Sequence, residues 1–258
     1  MKKVITGVMN SYNKIARTYF EGAKFFNEEI MHAELIALAK KYGFDFRGKS
    51  VLDLGCGPGG LMKKLETLGT TPHGIDISEE LLKIASERGC ENLTLGSMHE
   101  LGNYFAPETF DAVFSNFVLH YLPPEGQMLT IRNVYNVLKP GGLWIYSFCH
   151  PFFMRHWYLD ETMGEFPART KNYFYPLRID AWGEKEFGES LPLFRLDWPE
   201  IHSLNRNEGF DVLEMKDATL PSDVEKTVLV KTQDKNVIEL IELFKKNPFG
   251  VFIAARKP

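Results

Sequence analysis

The segment Val51-Leu52-Asp53-Leu54-Gly55-Cys56-Gly57-Pro58-Gly59-Gly60 constrains the fold of this chain more than any other. A short apolar run enters a glycine-rich turn, and Leu61 to Leu68 beyond it carries helical spacing. Glycine accepts positive φ and has no side chain to hold a ligand away from the backbone. The helix that begins behind the turn leaves its first N–H groups free and aimed into the same space. Strand, turn and helix therefore read as the first unit of a ligand-binding parallel sheet.

The alternation continues along the chain. His73 to Ile77 reads as a second strand, and Ser78 caps a helix through Arg88, with Glu79 and Glu80 in the first turn where the helix dipole favours acids. Leu93 to Leu95, Phe110 to Ser115 and Gly141 to Phe148 read as strands three to five, with a helix from Gly126 to Leu138 before the fifth. A helix over Pro199–Glu208, a sixth strand over Phe210–Lys216, a helix over Val237–Lys246 and a last strand over Gly250–Ala255 complete the series. Short apolar strands separated by helices predict an α/β fold whose sheet is covered on both faces.

Two regions stand outside this rhythm. Val8 to Tyr42 has mixed three- and four-residue apolar spacing, with Gly43 as a stop, and predicts two helices breaking near Gly22. After His150 the alternation stops for about fifty residues, and the chain becomes aromatic at Phe152, Phe153, Trp157, Tyr158, Phe166, Tyr173, Phe174, Tyr175, Trp182, Phe187, Phe194 and Trp198. The organisation expected is one domain. Residues 1–42 form a helical cap, 43–150 the binding core, 151–197 an aromatic lid, and 198–258 the rest of the sheet. Long irregular segments inside compact domains are more often functional than not.

Composition narrows the partners. A chain of 258 residues with 44% hydrophobic and 25% charged residues has ordinary globular character. Its net charge of −4 argues against a general nucleic-acid binder, which needs a basic surface. Cys56, Cys90 and Cys149 lie far apart and are odd in number, as suits free thiols in a reducing compartment. The apolar run near Met1 is too short for a signal sequence, and no stretch approaches a bilayer span, so a cytoplasmic protein is expected, with no membrane partner. His32, His73, His99, His156 and His202 show no metal-ligand spacing, and no metal is expected.

Gly55, Gly57 and Gly60 satisfy the dinucleotide pattern GxGxxG, which alone is weak. Asp76, ending the second strand, suits a ribose in either a dinucleotide or another nucleoside. Asp53 discriminates. A carboxylate two residues before the first glycine repels a pyrophosphate but suits a ligand bearing an ammonium and a sulfonium.

At this point the chain resembles the class I S-adenosylmethionine-dependent methyltransferases, of the small-molecule type 11/25 kind. Val51–Gly60 is similar to the family's first motif and His73–Ser78 to its second. Gly96-Ser97-Met98-His99-Glu100-Leu101 looks like the adenine-contacting segment. Phe110–Leu122 resembles the fourth motif, and Val137–Gly142 the turn before strand five. Tyr12-Asn13-Lys14-Ile15-Ala16-Arg17-Thr18-Tyr19 resembles the family's Tyr-Asp-x-x-Ala-x-x-Tyr helix, with Asn13 in place of the acid.

The resemblance implies a Rossmann-like, mostly parallel seven-stranded sheet in the order 3-2-1-4-5-7-6, the last strand antiparallel, with helices on both faces. It implies S-adenosylmethionine as cofactor and S-adenosylhomocysteine as product. By resemblance, Gly55, Cys56 and Gly57 present backbone to the methionine moiety and Asp53 anchors its ammonium. Asp76 binds the ribose, Ile77 packs on the adenine, and Ser97 and Met98 line its edge, with His99 a further candidate. Asn116 and Phe117 sit beside the methionine portion, and Tyr12 and Tyr19 belong to the helix that closes over it. Many relatives carry an acid where Ser97 stands, so that contact departs from the pattern.

The reaction expected is in-line methyl transfer to a small, apolar or aromatic acceptor, with positioning supplying most of the acceleration. His120 and His150, just past strands four and five, are the candidate bases. Ser115-Asn116-Phe117-Val118 lacks the Asn/Asp-Pro-Pro-Tyr signature of enzymes acting on nucleobase amines, which also disfavours nucleic acid. Arg178 or Arg195 could fix a substrate carboxylate. Two other readings remain: a non-catalytic S-adenosylmethionine or S-adenosylhomocysteine binder, and an NAD-dependent oxidoreductase. Monomer and homodimer are both open, as is the acceptor atom.

Overall fold

The computed structural model describes residues 1–150, 172–178, 186–194, 198–218, 248 and 250–258. Its helices are α1 (Lys2–Phe25), α2 (His32–Lys41), α3 (Gly60–Thr67), α4 (Glu79–Glu87), α5 (Pro124–Val137) and α6 (Trp198–Asn207). The strands are β1 (Ser50–Leu54), β2 (Thr71–Asp76), β3 (Leu93–Leu95), β4 (Phe110–Asn116), β5 (Leu138–Cys149), β6 (Asn172–Arg178), β7 (Glu186–Phe194), β8 (Asp211–Ala218) and β9 (Gly250–Arg256). Seven of them form one sheet in the order β3-β2-β1-β4-β5-β9-β8, with β9 antiparallel to both neighbours. Counted among the sheet strands alone this is the expected 3-2-1-4-5-7-6. β6 and β7 form a separate antiparallel hairpin within the aromatic segment.

Alternation along the central strands explains why both faces are covered. Leu52, Leu54, Val113, Trp144, Tyr146, Phe148 and Ile253 join one buried cluster with α5 and α6. Their neighbours Val51, Ala112, Phe114, Leu143, Ile145 and Phe252 join the other, against Leu35 and Leu38 of α2 and Leu61 and Leu65 of α3. Each strand feeds two cores, so the sheet is a septum whose ends, rather than faces, are open to ligands.

The N-terminal region departs from expectation. The helix does not break near Gly22; α1 runs through it, and a π-helical turn over Phe26–Met31 links it to α2. A glycine inside a helix costs only about 1 kcal/mol relative to alanine. Packing of α1 offsets this: Ala16 lies against Leu81 and Ile84 of α4. Asn13 Oδ1 accepts from Ser78 Oγ at 2.8 Å and from Glu80 N at 3.3 Å, so Asn13 fastens α1 to the start of α4. Ser78 caps α4 as expected, accepting from Leu81 N. Leu138 opens β5 rather than ending α5. The helix expected over Val237–Lys246 and the aromatic residues Phe152, Phe153, Trp157, Tyr158, Phe166 and Trp182 lie outside the described residues, as do Arg155, Arg169, Lys171 and Arg195. Among the described residues, no helix is long and apolar enough to cross a membrane.

Candidate active site

The chain order reverses direction across the sheet between β1 and β4, and the crevice outside their carboxyl ends is where such sheets bind ligands. Two adjoining clefts open there. The first, of about 700 Å³ counting its solvent-open part, is lined by Tyr12, Tyr19, Gly55, Gly57, Asp76, Ile77, Ser97, Met98, Asn116 and Phe117, together with Val8, Tyr121 and Leu122. The second, of about 460 Å³, is lined by Asp53 and Cys56 and shares Tyr19, Gly55, Gly57 and Asn116 with the first. Ten of the residues nominated from sequence thus meet in one cleft, and two more lie in its neighbour.

The glycine loop is fixed tightly. Gly55 has φ +73, and a Cβ there would sit 2.3 Å from Val118 Cγ1. Gly55 N and Cys56 N both donate to Ile75 O, binding the loop to the end of β2. Gly57 N donates to Asp76 Oδ2 at 2.9 Å, and Ser78 N donates to Asp76 Oδ1 at 2.8 Å. Burial raises the Asp76 carboxyl above its ordinary range, while N–H donors from Ser78, Gly57 and Ile77 pull it back. The Cys56 thiol is buried and pushed well up, so it stays protonated.

Asp53 is 2% exposed, and its Oδ2 has no hydrogen-bond partner. Burial first, then the neighbouring charge of Asp76, raises its pKa to about 8, against a single lowering contact from the Met62 backbone N–H. That N–H is one of the free donors in the first turn of α3. One end of the carboxyl is therefore spent on the helix, and the other is uncompensated.

A polar relay crosses the clefts. Ser147 Oγ donates to Asn116 Oδ1 at 2.7 Å, Asn116 Nδ2 to Asn27 Oδ1 at 3.1 Å, and Asn27 Nδ2 to the Tyr19 hydroxyl at 3.3 Å. Phe117 carries φ +53, an uncommon conformation for a bulky side chain. Its N–H donates to Ser147 Oγ at 3.2 Å, and its ring stacks on Phe26 at 6.2 Å. The Tyr12 hydroxyl donates to that of Tyr121 at 2.7 Å. Ser97 Oγ is paired with His99 Nδ1 at 2.6 Å, so His99 backs Ser97 and does not line the cleft.

The two histidines nominated as bases line neither cleft. His120 is 3% exposed, and burial pulls its pKa down to about 3. Its Nε2 lies 3.8 Å from the Cys149 thiol. His150 ends the run from β5 with Nε2 3.3 Å from Asp217 Oδ1. Burial lowers its pKa and Asp217 raises it. Asn27 and His32, from the π turn and the start of α2, were not nominated from sequence yet line the second cleft. A lone Asn and a lone His on a helical stretch carry no signal until the chain folds back.

A family model described as a methyltransferase domain matches residues 51–142. An uncharacterized methyltransferase of Bacillus cytotoxicus is 31% identical over 188 residues, covering 72% of this chain and 82% of that one. The demethylmenaquinone methyltransferase of Leptospira interrogans is 28% identical over 236 residues, 81% of this chain and 86% of that one. Among solved structures, an S-adenosylmethionine-dependent methyltransferase from Mesorhizobium loti superposes with a TM-score of 0.60 at 20% identity, over 85% of this chain and 96% of that one. With the strand order, the glycine loop and this agreement in hand, the chain belongs to the class I S-adenosylmethionine-dependent methyltransferases.

Proposed function

We propose that this chain methylates a small apolar or aromatic molecule, using S-adenosylmethionine bound across the two joined clefts. The observation that carries the reading is the unbonded Oδ2 of buried Asp53 at the cleft beside the glycine loop. A buried carboxyl without a partner is costly, and an ammonium supplies the partner it lacks. A dinucleotide pyrophosphate at this place brings no cation to draw the proton off Asp53 and take its place.

The residues fit the rest of the cofactor. Asp76 lines the first cleft, and a carboxyl has acceptor sites beyond the backbone N–H groups that Ser78, Gly57 and Ile77 aim at it, which suit ribose hydroxyls. Ile77, Ser97 and Met98 form the flank for the adenine, and Tyr12 and Tyr19 cover the opening from α1. Gly55, Cys56 and Gly57 would allow close approach of the methionine moiety, and Asn116 and Phe117 would help hold that portion. When bound, the cofactor supplies an electrophilic methyl group. The chain's own task is to hold donor and acceptor in line and exclude water, a positioning effect of roughly 7–11 kcal/mol in favourable cases.

Within the aromatic segment, the strands β6 and β7 are assigned as the lid over the acceptor. In support, β7 packs against α1 and against residues 119–121 beside the first cleft. For an acceptor that must lose a proton, His150 is the base assigned, with Asp217 orienting its ring; His120, with its basicity depressed, serves as packing under the site. A small-molecule acceptor is also in keeping with the relative named as a demethylmenaquinone methyltransferase.

The test is calorimetry with S-adenosylhomocysteine, followed by mass-spectrometric detection of methylated product over a panel of phenols, quinols and heteroaromatic amines. Binding with turnover of a panel member is expected. Binding with no turnover on any acceptor favours a sensor, and NADH binding without S-adenosylhomocysteine binding refutes the reading.

A further inference from the structure

Asp53 is one of two buried side chains on the second cleft with an unbonded polar atom. The other is His32, the first residue of α2. His32 is 7% exposed, and its Nδ1 has no partner. Lys64 and Arg88, each paired with a carboxylate, lie beside it. Burial, then Lys64 and Arg88, lower its pKa to about 3, so the ring is a neutral imidazole with an N–H to donate. Lys64 is held by the Glu28 carbonyl and lies 3.6 Å from Glu29. Arg88 pairs with Glu28 at 2.8 Å and donates to Pro58 O at 3.0 Å. Glu28 also faces this cleft, but its carboxylate is tied to Arg88 and does not oppose an anion there.

Burial first, with Lys64 and Arg88 beside it, keeps His32 neutral, and a neutral imidazole N–H can donate to a carboxylate. The cleft therefore has an acceptor at Asp53 and a donor at His32, both lining it together with the glycine loop. An α-amino acid has that layout, an ammonium and a carboxylate on one carbon. A purely cationic ligand would leave the His32 end unused.

We propose that His32 reads the α-carboxylate of the cofactor's methionine moiety, donating an imidazole N–H to it while Asp53 takes the ammonium. This rests on the S-adenosylmethionine reading above. His32 is then a specificity-determining residue, separating the complete cofactor and product from adenosine thioethers that lack the carboxylate.

The experiment measures the affinity of the full chain for S-adenosylhomocysteine, for its decarboxylated analogue and for 5′-methylthioadenosine. The parent is expected to prefer S-adenosylhomocysteine to the decarboxylated analogue by about tenfold or more, the scale of a hydrogen bond to a charged group. His32→Leu is expected to abolish that preference while leaving the two smaller ligands within about twofold. His32→Gln, which keeps a donor, is expected to retain most of it. Asp53→Asn is expected to weaken both ammonium-bearing ligands and spare 5′-methylthioadenosine. An equal loss on all three ligands in His32→Leu, or no preference in the parent, overturns the role of His32 while leaving the cofactor reading intact. Binding of none of the three by the parent overturns both.

Discussion

Asn116, the last residue of β4, donates its side-chain amide to Oδ1 of Asn27 in the π-helical turn at 3.1 Å. This bond joins the sheet to the N-terminal helices at the boundary of the two clefts. Asn27→Leu leaves the Asn116 amide and the Tyr19 hydroxyl without this partner. Each lost bond costs about 1 kcal/mol, so a stability loss of about 1–2 kcal/mol is expected by denaturant titration. S-adenosylhomocysteine affinity should fall about tenfold in parallel. Unchanged affinity with reduced stability would separate the relay from ligand binding.

Asp53 ties function to pH. Its native pKa of about 8 lies above the ordinary carboxylate value near 4. Between these values the native state keeps a proton that the unfolded chain has lost, so this group's contribution to stability falls as pH rises through that window. Asp53→Asn does not titrate. Relative to the parent, its thermal midpoint is expected to rise as pH increases from about 5 to about 8, while S-adenosylhomocysteine binding weakens. A constant difference in midpoint across that range would show that Asp53 is ionised in the free protein.

Gly55 is bounded by backbone and by a neighbour at once. Gly55→Ala places a methyl into Val118 and keeps a positive φ that costs an L-residue about 1–2 kcal/mol. The added Val118→Ala substitution is expected to relieve the clash alone. Denaturant midpoints should therefore recover only in part in the double variant. Full recovery would mean that the turn conformation costs nothing.

The His150 assignment predicts a pH profile. Burial holds its pKa below the ordinary value near 6.5, and Asp217 at 3.3 Å partly restores it. A base must be unprotonated, so kcat should fall as pH drops through an inflection below 6.5. Asp217→Asn removes the restoring charge and should move that inflection further toward acid. His150→Gln should lower kcat about 10²-fold. A profile unmoved by Asp217→Asn excludes His150 as the base.

The sheet was legible because its signals are local. Val51 to Leu54, Phe110 to Ser115 and Gly141 to Phe148 are apolar runs closed by turn residues, and the glycine loop marks its own ligand edge. Asp53 and Asp76 were legible because their meaning depends only on distance from that loop. The π turn was not. Ile30, Leu35, Leu38 and Ala39 recur at mixed spacing, and a wide turn leaves the same trace as an ordinary helix with one polar slip. Gly22 was the visible breaker, yet α1 continues through it because packing on α4 outweighs a weak local preference. His32 was invisible for a related reason: its worth lies in Lys64 and Arg88, residues a helix or more away in sequence.

That π turn has a consequence for how such a site is gained or lost. It spans Phe26–Met31 and accommodates one residue more than an α-helical turn would hold. The extra residue is absorbed within the turn, so α1 and α2 nearly keep the phase of one continuous helix on either side of it. Removing one residue there returns the turn to α-helical spacing, leaves the face carrying His32 in place and repositions the residues inside the turn, Asn27 with its bonds to Asn116 and Tyr19 among them. A single codon of insertion or deletion is therefore enough to make or break the polar relay, with no substitution at any other residue of it.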